Sequence, residues 1–147
     1  MNSTTYSEGT TKKSVSGSLA KAVLLLAISL GLLWFSVNFP FYRVFAPEST
    51  GWKLWTSYAK DLIQPFAFYF FLCLGERWLK TWQVRALIAF GIPTVLEIGQ
   101  FFYYWISPTH YVGLFDPMDI VMYAVGVGIA VLVDQKVFAN ILNFWQQ

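Results

Sequence analysis

Four stretches poor in charge recur along the chain, at about 22–42, 55–75, 86–107 and 116–133. A helix needs about 20 predominantly apolar residues to cross a bilayer, and the first and third stretches meet that length outright. The second and fourth are free of charge only over 62–75 and 120–133, which leaves Lys60, Asp61 and Asp119 in their first turns. Pro93 interrupts the third stretch, where proline removes a backbone hydrogen bond and tends to kink a membrane helix. Ahead of these stretches, residues 1–18 are rich in Ser, Thr and Gly and lack apolar periodicity, so they read as a disordered cytoplasmic tail. Residues 19–147 then form one domain, and the expected fold is all-α: a bundle of four transmembrane helices.

Composition sharpens this picture. Hydrophobic residues make up 56% of the chain and charged ones 12%, against about 25% charged in an average soluble domain. A soluble protein of this size could not bury so much apolar surface. Aromatic residues reach 20%, seven of them Trp, which suits rings placed at both membrane interfaces. A net charge of +2 is too small to argue for a nucleic-acid partner, and no basic cluster suggests one, so none is expected. The single cysteine, Cys73, excludes an intrachain disulfide and reads as a small buried apolar residue.

The first stretch, preceded by Lys12, Lys13 and Lys21, also has the shape of a signal peptide. Its apolar run exceeds the roughly 7–15 residues of a signal core, and Pro47 follows the one small-residue cleavage candidate, Val44-Phe45-Ala46. An uncleaved helix is the better reading. Placing the N-terminus inside puts Lys12, Lys13, Lys21, Arg77, Lys80, Arg85 and Lys136 in the cytoplasm and Arg43, Lys53 and Lys60 outside. That bias predicts an N-in, C-in orientation by the positive-inside rule.

The orientation gathers the acids. The second helix starts outside with Asp61 and Gln64, and the fourth starts outside with Asp116 and Asp119. Glu97 precedes the outer end of the third helix by about 14 Å at a helical rise of about 1.5 Å per residue. A carboxylate at that depth is costly and usually faces a bundle interior or a cavity. Asp61 and Gln64 are spaced i,i+3, as are Glu97 and Gln100, with Tyr104 one turn beyond. Asp119, Tyr123, Gly126 and Ala130 form one helical stripe, and the small residues in it let helices approach closely. Glu76 and Asp134 flank the cytoplasmic ends instead.

Simpler roles stand beside these. Asp116 is placed to cap the fourth helix with Pro117 in its first turn, Asp119 occupies a capping-box position, and Phe115 with Ile120 match a hydrophobic staple. Asp61 could pair with Lys60 or sit among headgroups, Glu97 could be a protonated packing residue, and Gln100 could bind helix to helix. His110 lacks a partner at metal-ligand spacing. Ser36 and Ser107 lack a histidine placed to activate them, and no Gly-rich segment forms a phosphate cradle. The run Phe101-Phe102-Tyr103-Tyr104-Trp105 reads as an interfacial belt.

The order of motifs from Asp61 to Gly128 resembles the VanZ-like family of small bacterial membrane proteins: an acid in the second helix (Asp61), Glu97-Ile98-Gly99-Gln100 in the third, an aspartate opening the last (Asp119, after Phe115), then Gly126. Family members often carry an arginine six residues before that aspartate and an asparagine four after it, where this chain has Gly113 and Tyr123. The resemblance implies a multi-pass protein of the bacterial inner membrane, in a family named for a protein linked to low-level resistance to the glycopeptide teicoplanin. It implies no cofactor and supplies no reaction. The leading expectation is therefore an outward-facing acidic pocket formed by Asp61, Gln64, Glu97, Gln100, Tyr104 and Asp119. It would engage a polar or cationic group of an envelope lipid or a glycopeptide-type antibiotic. Two other classes remain: a subunit packed against other membrane proteins, and an enzyme whose three carboxylates hold a divalent metal or transfer a proton.

Overall fold

The computed structural model describes residues 9–38, 49–106, 116–142 and 145; side chains are described from residue 17 onward, except those of Ser57 and Tyr104. The elements are α1 (Gly9–Asn38), α2 (Thr50–Leu54), a π-helical turn (Trp55–Ala59), α3 (Lys60–Cys73), α4 (Trp82–Ile106), α5 (Pro117–Leu132), a second π-helical segment (Val133–Phe138) and α6 (Ala139–Ile141). No strand occurs among the described residues.

Three helical segments are long and apolar enough to cross a membrane: Gly17–Asn38, Trp82–Tyr103 and Pro117–Ile141. Their outer faces support that reading. On α1 the exposed large residues are Leu19, Val23, Leu26, Leu30, Trp34 and Val37, spaced three and four apart, while Ser29 and Ser36 are buried. Leu25 is buried with them, so α1 is apolar on its outer face as well as its inner one, unlike a soluble helix, whose outer face is polar. Each buried hydroxyl is satisfied on its own helix, Ser29 Oγ donating to the Leu25 carbonyl at 2.7 Å and Ser36 Oγ to the Leu33 carbonyl at 2.9 Å.

The second predicted span behaves differently. Its helix runs from α2 through the π turn to the end of α3 and includes Lys53, Lys60 and Asp61. It does not join the three apolar segments. It is the centre of the molecule: α3 packs on α1, α4 and α5, and the α3–α5 interface is the largest. Pro65, Ala67, Tyr69, Phe70 and Cys73 of α3 are buried. The charges of this helix lie towards its start, where Lys53 and Lys60 are exposed and Asp61 is half-buried, while the stretch from Leu62 to Cys73 carries none.

Several boundaries differ from the sequence reading. Helix α1 begins at Gly9, inside the stretch read as a tail, while residues 1–8 lie outside the described residues. Once the apolar run is helical, extending it backwards adds one hydrogen bond per residue without a new nucleation cost. Helix α4 continues through Pro93. One residue further on, Thr94 Oγ1 donates to the Phe90 carbonyl at 2.7 Å, next to the Ala89 carbonyl that Pro93 leaves without its helical donor. Asp116 caps α5, its side chain accepting from Met118 N at 2.9 Å with Pro117 in the first turn. Phe115, Ser107, His110 and Gly113 lie outside the described residues.

Candidate functional site

Helices α3, α4 and α5 alternate in direction, so each end of the bundle collects side chains from all three. At one end the start of α3, the end of α4 and the start of α5 bring Asp61, Glu97 and Asp119 within electrostatic range of one another, with Asp116 close to Asp61 and Asp119. Glu97 is 7% exposed, and the buried Tyr123 side chain interacts with it. None of the three acids forms a salt bridge among the described residues.

The other predicted site residues divide. Gln100 is half-buried. Gln64 is exposed, so it stands outside the buried acid set although it is one turn from Asp61. The Tyr104 side chain lies outside the described ones. Among the described residues no three of His, Cys, Asp and Glu are placed to hold a metal ion together.

Of the stripe predicted on α5, Tyr123, Gly126 and Ala130 are buried and Asp119 is half-buried; Val127 is buried beside them. The stripe continues one turn further, to Asp134. This residue is 4% exposed, which corrects the expectation that it merely flanks the end of a span. Tyr69 Oη donates to Asp134 Oδ2 at 2.7 Å, Gln135 Nε2 to the same oxygen at 2.8 Å, and Trp145 Nε1 to Oδ1 at 2.7 Å. Arg85 Nη2 stands 3.7 Å from Oδ2. Four groups drawn from α3, α4, the second π segment and the chain beyond α6 thus converge on one carboxylate. A buried charge persists when it is paired and hydrogen-bonded in this way.

Around this carboxylate the remaining polar groups close the end of the bundle. Arg85 is 6% exposed, so it is buried within the fold as well as sited near a helix end. Its Nη1 donates to the Leu79 carbonyl at 3.0 Å and so ties the α3–α4 turn to α4. Lys21 of α1 pairs with Glu76 at 2.7 Å and donates to the Trp145 carbonyl at 2.8 Å. The Trp145 ring packs edge-on against Phe138 with centroids 4.7 Å apart, and Lys21 Nζ lies 5.2 Å from the Trp145 ring centroid. A cavity of about 570 Å³ and a smaller one of about 160 Å³ adjoin this cluster.

A signal for this second cluster was present in the sequence. Asp134 follows Ala130 by four residues, extending the α5 stripe, and Arg85, Ala89, Pro93 and Glu97 repeat every four residues along α4. Arg85, Ala89 and Glu97 of that set are buried.

A bundle whose large apolar side chains face outward, and whose buried residues include Arg85, Glu97 and Asp134, defines a helical membrane protein. No family model, no curated protein and no solved structure matches the chain.

Proposed function

We propose that this chain is a four-span, N-in, C-in protein of the bacterial inner membrane, of VanZ-like type. Its outward-facing end would bind a cationic or polar group of an envelope lipid or antibiotic. The observation that carries the reading is that Asp61, Glu97 and Asp119, from three different helices, come within electrostatic range without a salt bridge among the described residues. Neighbouring carboxylates in a site of reduced dielectric repel one another, and a bound cation relieves that repulsion. In this reading Asp61, Glu97 and Asp119 supply charge, Tyr123 and Gln100 orient the ligand, and the exposed Gln64 meets it at the rim.

The four-span arrangement draws support from the central helix. From Thr50 to Cys73 it extends about 36 Å at about 1.5 Å per residue, enough for a hydrocarbon core of about 30 Å. Orientation is tested with a membrane-impermeant thiol reagent on whole cells, using single cysteines at Thr56, Lys80 or His110 in a Cys73→Ser background. Labelling is expected at Thr56 and His110 and not at Lys80; the reverse pattern would turn the acids toward the cytoplasm. The site is tested by titrating the purified full chain with teicoplanin and with a short-chain phosphatidylethanolamine. Binding of at least one is expected to be lost in Glu97→Gln/Asp119→Asn. Equal binding by that variant, or no binding of either ligand by the wild type, would defeat the proposal.

A further inference from the structure

The opposite end of the bundle has chemistry suited to an anion. The larger cavity is lined by Lys21, Arg77 and Lys80 along with Glu76, and the smaller by Arg85 and Asp134. Lys21, Cys73 and Glu76 line both, so the two adjoin. Glu76 is neutralised by Lys21, and Asp134 already accepts three hydrogen bonds beside Arg85. The positive charge left over belongs to Arg77 and Lys80, both exposed and without an ion pair among the described residues.

A second observation is independent of surface charge. Arg85 Nε is buried and has no hydrogen-bond partner among the described residues. An orphaned buried donor in an otherwise satisfied network calls for an acceptor, and Arg85 lines the inner cavity. A guanidinium is also the side chain best matched to the oxygens of a phosphate.

The surroundings favour an amphiphile over a free ion. Ala22, Leu25 and Leu74 form part of the larger cavity's wall, and the apolar outer face of α1 begins beside it at Leu19 and Val23. Trp78, 88% exposed, stands at the same rim, and exposed Trp beside basic residues marks the headgroup level of a membrane. We propose that this cavity holds the phosphate of an anionic phospholipid: Arg77 and Lys80 meet it at the rim, Arg85 of the adjoining inner cavity adds positive charge behind it, and its acyl chains lie along α1. This site rests on the membrane reading and not on the acidic end, where ligands of opposite charge are expected.

The test uses the full chain in mild detergent, titrated by calorimetry with dihexanoyl phosphatidylglycerol, dihexanoyl phosphatidylcholine and inorganic phosphate. Saturable binding of the phosphatidylglycerol is expected, with the other two about tenfold weaker or more, because phosphatidylcholine brings its own cation towards the basic rim and inorganic phosphate has no acyl chains to bury. Arg77→Gln/Lys80→Gln alters exposed positions and should weaken phosphatidylglycerol binding about tenfold while the helical circular dichroism is unchanged. Arg85→Lys keeps the charge, removes the guanidinium geometry and should also weaken binding. Glu97→Gln/Asp119→Asn should bind phosphatidylglycerol like the wild type, which separates this proposal from the one above. Equal binding of phosphatidylcholine would overturn it, as would inorganic phosphate matching the lipid, or a folded rim variant that binds undiminished.

Discussion

The Leu62 carbonyl of α3 occupies the space that a Cβ on Gly126 of α5 would need. The carbonyl carbon and Cα of Leu62 would stand 3.1 and 3.3 Å from such a Cβ, so the contact is with rigid backbone. Gly126 therefore sets the separation of the two helices that form the largest interface. Gly126→Ala is expected to destabilise the chain by about 1–3 kcal/mol, the usual cost of overpacking. Gly128→Ala, where nothing lies within 4 Å, should be neutral or slightly stabilising. Thermal unfolding of the two variants in one detergent decides the matter; equal midpoints would mean that the helices do not meet at Gly126.

Asp134 should dominate stability at the opposite end. Asp134→Ala leaves Arg85 without its counter-ion and orphans the Tyr69 and Trp145 donors, a loss of about 3–5 kcal/mol for a broken buried pair. Tyr69→Phe removes one of those donors and should cost about 1–2 kcal/mol. The ordering Asp134→Ala well below Tyr69→Phe, and both below wild type, is the expected result in the same unfolding assay. A wild-type midpoint for Asp134→Ala would show that the cluster contributes nothing to the fold.

The Lys21–Glu76 pair should matter far less, despite its 2.7 Å separation. Its side chains are 15% and 46% exposed, and ion pairs open to solvent contribute about 0–1 kcal/mol and weaken with salt. Glu76→Gln should shift the unfolding midpoint only slightly at low ionic strength and not measurably at about 1 M salt, where the screening length falls to about 3 Å. A large, salt-insensitive drop would contradict this.

Asp116 is expected to act through its cap. Removing it with Asp116→Ala should cost about 1 kcal/mol, while Asp116→Ser restores an acceptor for the Met118 amide and should return most of that stability. Amide hydrogen exchange at Met118 reads the effect locally, and equal protection in both variants would rule the cap out as its source.

Much of this molecule follows from the sequence alone. Long uncharged runs define helices with lipid-facing surfaces, because backbone groups in a bilayer must be satisfied within the segment itself. The three- and four-residue spacing of Tyr123, Gly126 and Ala130 marks the face of α5 that is buried, and Asp116-Pro117 marks where that helix begins. Periodicity assigns a residue to a face but does not name what that face will touch. That choice belonged to the tertiary structure. Packing α3 at the centre brought Tyr69 to Asp134 across 65 residues and Lys21 to Trp145 across 124. It also buried Arg85, left Gln64 at the surface, and set Gly126 against the Leu62 backbone. Partners so far apart in the chain meet only once helix order and spacing are fixed, and the close approach of α3 and α5 helps to fix them.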